Sequence, residues 1–395
     1  MPDPLKEALV VVPKIGELPT CAGLTTVQRW EKMFYSLGVE RVRTVTLEDL
    51  PGILADLSGL VVVAAGEYAN DLLSVDFLLD TVPGRQDGDV FYILSKTSEP
   101  GPVLVVNADS FQEKEAAALG RFLYHPEERE NILQDLGSTV KIIPLERKSA
   151  FWSHVSDTDS ARQAEWGMLK ALQFRPGGLI AKYLNRPISI RFSRHLVNSP
   201  VTPNMTTIFA FFVGAAGIAF VFAGGWLNTV IGGLLLQINS VLDGIDGELA
   251  RIRLQQSKFG AYLDSVCDEV LNAMLFAAIG YNLYSASGNE LYLAAGIFAG
   301  VMAFTYALID WHCNIRHGLG FYWWFEAYKP RKKVQRSTSP FAYFKKLFWK
   351  ESYLFLFLIF GLLNWISLLL FASVISGAIV FVLLVIHIGI KRARW

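Results

Sequence analysis

Cysteine is scarce in this chain. Cys21, Cys267 and Cys313 are the only three in 395 residues. They lie far apart and share no metal-ligand spacing, which excludes a disulfide framework and a thiolate zinc centre. Net charge is also missing, because 36 Lys and Arg balance 36 Asp and Glu. Overall charge therefore points to no partner, and no nucleic acid is expected among them. The opening residues MPDPLKEALVVV lack the basic flank and small-residue cleavage site of a signal peptide, so the first domain is expected to stay in the cytosol. What the chain has in excess is apolar sequence. Hydrophobic residues make up 52% of it, and they are unevenly spread.

That unevenness predicts three parts: a soluble domain over 1–178, an interfacial segment over 179–200 and a membrane domain over 201–395. In the first part, ALVVVP (8–13), GLVVVAAG (59–66), GPVLVVNADS (101–110) and VKIIPL (140–145) read as buried strands. A helical pattern over 24–37, followed by GVERVRTVT, falls between them. Strands alternating with helices predict an α/β domain with a mostly parallel sheet.

The membrane part is expected to be all-α, with six spans near 204–223, 226–248, 260–284, 291–313, 352–371 and 373–390. Lys and Arg collect in the 251–258 link, in the 314–350 segment and in the tail KRARW, whereas SASGNE (285–290) has none. Positive charge gathers on the cytoplasmic side, so both termini are expected there. The basic 314–350 segment reads as solvated chain touching anionic headgroups. The interfacial stretch LIAKYLNRPISIRFSRHLVNSP alternates apolar residues with Lys182, Arg186, Arg191 and Arg194. It is either a plain anchor on the inner leaflet or a source of arginines for an anionic substrate group.

One stretch breaks the apolar pattern: Asp243 to Asp268, DGIDGELARIRLQQSKFGAYLDSVCD. Ionisable residues at membrane depth are costly and generally functional. Helical spacing aligns Asp243, Asp246 and Ala250 on one span end, and Gly260, Asp264 and Asp268 on the next. The short link between them makes the two helices antiparallel neighbours, so four carboxylates can converge. Divalent cations relieve their repulsion, and an all-oxygen donor set favours Mg²⁺, Mn²⁺ or Ca²⁺. Gly247, Ala250 and Gly260 leave room for a substrate, and Arg251 suits phosphate oxygens. Together these features suggest displacement at phosphorus. An ion-coupled transporter using the carboxylates as a relay is the alternative from another class, but it gives the glycines and Arg251 no purpose.

These positions fit D-x-x-D-G-x-x-A-R-x(8)-G-x-x-x-D-x-x-x-D throughout, which resembles the CDP-alcohol phosphatidyltransferase family. SPVTPNMTT (199–207) is similar to the Thr-Pro-Asn segment that opens the family's first span. The resemblance implies transfer of a phosphoalcohol from a CDP-linked donor to an acceptor hydroxyl, with release of CMP. It implies two divalent ions, Mg²⁺ or Mn²⁺, on Asp243, Asp246 and Asp264, with Asp268 as a further ligand and as the base. Asn204, Thr207, Gly247, Ala250, Arg251 and Gly260 would seat the cytidine diphosphate. Family members are commonly homodimers that work among membrane lipids. For an acceptor phosphate, the candidates are Arg186, Arg191, Arg194 and Arg316.

The soluble domain resembles sugar-phosphate nucleotidyltransferases, and its join resembles fusions of inositol-1-phosphate cytidylyltransferase with di-myo-inositol-phosphate-phosphate synthase. It departs from them where chemistry would sit. VVVPKIGELPTCAG lacks the glycine-rich phosphate loop. The residues aligned with the closing Asp-Val-Asp-Thr motif are His154, Val155, Ser156 and Asp157, where a shift of one position would bring in Asp157, and Asp109 stands at a metal-binding position. A degenerate, non-catalytic domain is expected; the alternative is a bifunctional enzyme that still consumes CTP. Beyond Asp268, Glu269 and Asn272 stand where the fused inositol enzymes tend to carry an arginine and an aspartate. That places an inositol-phosphate acceptor in question and leaves diacylglycerol-linked chemistry as the competing case.

Overall fold

The computed structural model describes residues 7–13, 19–57, 60–70, 91–96, 99–108, 113–129, 131–132, 140–144, 151–174, 178–317, 350–375 and 377–378. Packing divides the chain into two compact units. The first comprises Met1–Arg175, Ser193–Ser199 and Ala250–Gln255; the second comprises Pro176–Phe192, Pro200–Leu249 and Gln256–Trp395.

The first unit is α/β. Its elements are β1 (Glu7–Val12), β2 (Thr20–Cys21), β3 (Leu24–Thr25), α1 (Thr26–Ser36), β4 (Arg41–Thr46), α2 (Leu50–Ala55), β5 (Leu60–Ala65) and β6 (Tyr68–Asn70). They continue with β7 (Phe91–Lys96), β8 (Glu99–Asn107), α3 (Glu113–Tyr124), β9 (Val140–Pro144), β10 (Trp152–His154) and α4 (Thr158–Leu172). The main sheet runs β4-β1-β5-β8-β7-β9. β1 pairs in parallel with β4 and β5, and β7 with β9, while β8 is antiparallel to both its neighbours. The sheet is thus mostly parallel. Continuous Val and Ala runs in β1 and β5 are buried, as strands covered on both faces require. Phe91–Lys96 lies outside the strands expected from sequence. Its apolar run is only four residues long before Ser95 and Lys96, too short to separate strand from helix by pattern.

Local chemistry sets α1. The Thr25 hydroxyl accepts from the Gln28 amide while the Gln28 side chain accepts from the Thr25 amide, a reciprocal cap. α1 buries Trp30, Met33 and Phe34 in the core beneath the sheet, and the Trp30 indole donates to the Ala65 carbonyl at 3.0 Å. Cys21 is wholly buried in this unit, and burial pushes its thiol up to about 11. The thiolate is the nucleophile, so Cys21 is expected to escape iodoacetamide at pH 8 in the native protein and to react after denaturation. Peptide mapping of the alkylated protein checks this.

The second unit is helical. A π-helical turn, Ala181–Asn185, leads into α5 (Arg186–Leu196), followed by α6 (Pro203–Ala223), α7 (Trp226–Ile252), α8 (Lys258–Ser287), α9 (Glu290–His317), α10 (Lys350–Leu362) and α11 (Ile366–Ile375). Among the described residues, α6 alone is both long and apolar enough to cross a membrane, with 21 residues. At about 1.5 Å per residue it matches a hydrocarbon core of about 30 Å. α7, α8 and α9 have 27, 30 and 28 residues.

The fifth expected span, 352–371, is not one helix. Asn364 takes a left-handed φ of 57°, and the Trp365 amide donates to the Phe360 carbonyl at 2.7 Å, which closes α10 and starts α11. An apolar average over this stretch does not register one asparagine that tolerates φ > 0. The remainder of the sixth expected span and most of the basic 314–350 segment lie outside the described residues.

Helix contacts in this unit use small residues. A Cβ built on Gly280 of α8 would lie 2.7 Å from the Gly296 Cα of α9, and one built on Gly296 would lie 2.7 Å from the Gly280 Cα. Gly217 of α6 and Gly232 of α7 meet in the same way, each against the other's carbonyl oxygen. Polar groups pin the π-helical turn and α5 to α7. The Asn185 amide donates to Ser240 Oγ at 2.9 Å, Gln237 donates to Asn185 Oδ1 at 2.7 Å, and Ser189 Oγ donates to Glu248 Oε1 at 2.5 Å. Asn185, Ser189, Ser240 and Glu248 are all buried.

Candidate metal and nucleotide site

The helical spacing seen in the sequence brings carboxylates together. Asp243 on α7 and Asp264 and Asp268 on α8 each offer an oxygen, and the three oxygens lie within 4.8 Å of one another. All three residues are partly buried, so the cluster is open to a ligand yet sheltered. Three carboxylates at this spacing repel one another, and hard divalent cations are the simplest counter-charge for an all-oxygen donor set. Asp246 has a different environment. It is buried, its Oδ2 accepts from the Thr207 hydroxyl at 2.5 Å, and its Oδ1 accepts from the Gly247 amide. Thus three of the four expected carboxylates gather and the fourth is held by α6. That tie joins Thr207 to the motif helix through a contact 39 residues away in sequence.

α8 begins at a sharp cap. Ser257 Oγ accepts from the Gly260 amide at 2.9 Å, as a helix N-cap serine does. A Cβ on Gly260 would lie 3.0 Å from that hydroxyl and 3.1 Å from the Asn204 Oδ1. Glycine therefore lets the α8 start approach Asn204, another of the residues expected at the nucleotide. Gly247 sits on the helix turn after Asp246. Ala250 and Arg251 occupy the last turns of α7. Ser257 is not among the residues expected at the site, although a serine just ahead of a helical apolar run is a legible cap signal.

Among the acceptor candidates, Arg186 opens α5, and Arg191 is exposed on it. The Arg194 guanidinium lies over the Trp166 ring, 5.0 Å from the centroid, in the α/β unit. Arg316 lies in the last turn of α9, and its side chain lies outside the described residues, as does Asp109. At the former closing motif, His154 Nε2 pairs with Glu67 Oε2 at 3.1 Å. Asp157 caps α4, accepting from the Ser160 amide at 2.7 Å, and that bond holds its carboxyl below the usual range.

Fold and site define a class. Residues 200–374 match the CDP-alcohol phosphatidyltransferase family, and the C-terminal half of the chain carries a domain of that family. The chain is 33% identical over 179 residues to the "Bifunctional IPC transferase and DIPP synthase" of Aquifex aeolicus, covering 45% of this chain and 40% of that protein. It is 38% identical over 152 residues to the protein of the same name from Archaeoglobus fulgidus, covering 38% of this chain and 29% of that one. To the "Archaetidylinositol phosphate synthase" of Pyrococcus horikoshii it is 33% identical over 90 residues, covering 22% and 46%. The chain thus matches less than half the length of each of these relatives.

Proposed function

We propose that this protein is a membrane enzyme that transfers a phosphoalcohol from a CDP-alcohol to an acceptor hydroxyl and releases CMP. The observation that carries this reading is the meeting of Asp243, Asp264 and Asp268 at one point in a domain of this family. These carboxylates, with Asp246, would hold Mg²⁺ or Mn²⁺, which when bound neutralises diphosphate oxygens and the departing phosphate. Asn204, Thr207, Gly247, Ala250, Arg251 and Gly260 seat the cytidine diphosphate, with Arg251 supplying charge-assisted hydrogen bonds to its phosphate oxygens. Asp268 takes the acceptor's proton. The acceptor oxygen then bonds to the phosphorus of the phosphoalcohol, and the bond from that phosphorus to the CMP oxygen breaks with its electron pair. Arg186, Arg191, Arg194 and Arg316 are the candidates for an acceptor phosphate.

Six spans, cytosolic termini and a cytosolic site are part of the same reading. Large apolar side chains exposed on α6 to α9, among them Phe209, Phe212, Leu234, Met274, Ile297 and Val301, support it, since so wide an apolar surface needs lipid or protein to cover it. The printed names of the relatives support inositol-phosphate chemistry, whereas Glu269 and Asn272 depart from the fused enzymes. The α/β domain is read as non-catalytic, because the Asp157 carboxylate is committed to capping α4.

The test is CMP release by the purified full chain with Mg²⁺ or Mn²⁺, offering CDP-diacylglycerol and CDP-inositol separately with candidate acceptors. Release from one donor that stops on chelation and returns with added metal is the expected result. CDP binding that ignores both metal and chelator would overturn the reading.

A further inference from the structure

The segment that carries the Ala250–Arg251 pair of the motif is built into the α/β unit. Residues Ala250–Gln255 pack as part of that unit, although they are far in sequence from its strands. Three independent contacts fix them. Arg29 of α1, only 1% exposed, donates from Nη1 to the Ile252 carbonyl at 2.6 Å and to the Cys21 carbonyl at 3.4 Å. Its Nη2 donates to Met168 Sδ at 3.2 Å. Arg253 turns its guanidinium onto the carbonyls of Leu196, Val197 and Ser199, with Nε to Val197 at 2.8 Å. Leu254 has a left-handed φ of 52°, the Gln255 amide closes back on the Ala250 carbonyl at 2.8 Å, and the Leu254 side chain packs on the α/β core.

A left-handed leucine costs about 1 to 2 kcal/mol and persists where its surroundings over-determine it. A fully buried arginine is likewise expensive, and it bonds a single link carbonyl here. Burial lowers the Arg29 pKa, with Cys21 and Glu165 acting in the opposite sense. Glu165, itself buried, accepts from the Ala22 amide at 2.6 Å and from the Asn198 amide group. So much polar construction around six residues is more than a tether between two helices requires.

We infer that Arg29 is a positioning residue for Arg251: by holding the Ile252 carbonyl, the α/β unit fixes the last turn of α7, from which Arg251 projects. The degenerate domain thus acts on the reaction by fixing a donor-binding arginine. This rests on the transferase reading above, in which Arg251 meets the diphosphate.

The experiment compares wild type, Arg29→Met, Arg29→Lys and, as a benchmark, Arg251→Met, all as full-length protein. It reads KM and kcat for CMP release and the Kd of CDP with Mg²⁺. Arg29→Met is expected to raise KM and Kd about tenfold, the size of one lost charged hydrogen bond, with kcat changed by less. Arg29→Lys keeps a charge and a donor, and recovery to within about threefold of wild type is expected. Values within twofold of wild type in a folded Arg29→Met protein would show a merely structural arginine and overturn the inference. If Arg29→Met does not fold, Arg253→Gln is measured against the same criteria. If wild type binds CDP with Mg²⁺ but releases no CMP, the transferase reading fails, and the Kd ratio alone decides the positioning role.

Discussion

Asp268→Asn is expected to reduce CMP release by about 10² to 10⁴-fold, the range for loss of a positioned general base. Asp268 is also a ligand candidate, so CDP with Mg²⁺ should bind more weakly than in wild type, but by far less than turnover falls and less than in Asp264→Asn. Asp264→Asn is the informative contrast. Both residues belong to the Asp243–Asp264–Asp268 cluster, but the motif gives Asp264 no role in proton transfer. Its loss should weaken CDP and metal binding as well as turnover. Calorimetric titration of CDP in Mg²⁺, run beside the CMP assay, separates the two patterns. Equal losses of binding in both variants would reduce Asp268 to a ligand and leave the base to be found elsewhere.

The second large effect concerns packing. Gly296→Leu, or Gly280→Leu, is expected to cost about 3 kcal/mol or more, because overpacking is tolerated only where neighbours can move. Here the obstacles are main-chain atoms. A Cβ on Gly296 meets the Gly280 Cα and the Phe276 carbonyl, each at 2.7 Å, and backbone inside a helix cannot rotate aside. Small residues at such crossings let helix backbones touch. The measurement is melting temperature and monodisperse yield in detergent. Leu234→Ala on the exposed outer face should change either far less, and similar losses in both would remove the special status of the crossing.

Much of this architecture was legible in the sequence because it is local. The motif carboxylates sit three or four residues apart, and a helix turns that spacing into a shared face without help from the rest of the chain. The strands β1, β5, β8 and β9 announce themselves as apolar runs. Other features were not legible, for equally physical reasons. The Thr207–Asp246 bond spans 39 residues and the Arg29–Ile252 bond spans 223, and no periodicity reports contacts of that range. Asn364 ends a helix through one backbone angle inside an apolar stretch. The contact of Arg194 with Trp166 likewise joins residues on different elements.

The polar contacts of the π-helical turn and α5 with α7 have a mechanical meaning. Asn185, Ser189, Gln237, Ser240 and Glu248 interlock like the teeth of two gears. Sliding by one helical turn, about 5.4 Å, would strand a buried carboxylate and a buried amide among apolar neighbours. Slip is therefore closed to this pair of helices. At a bilayer surface of the kind proposed, any change in the tilt of the Asn185–Ser189 turn has to reach α7, and with it Asp243, as torque.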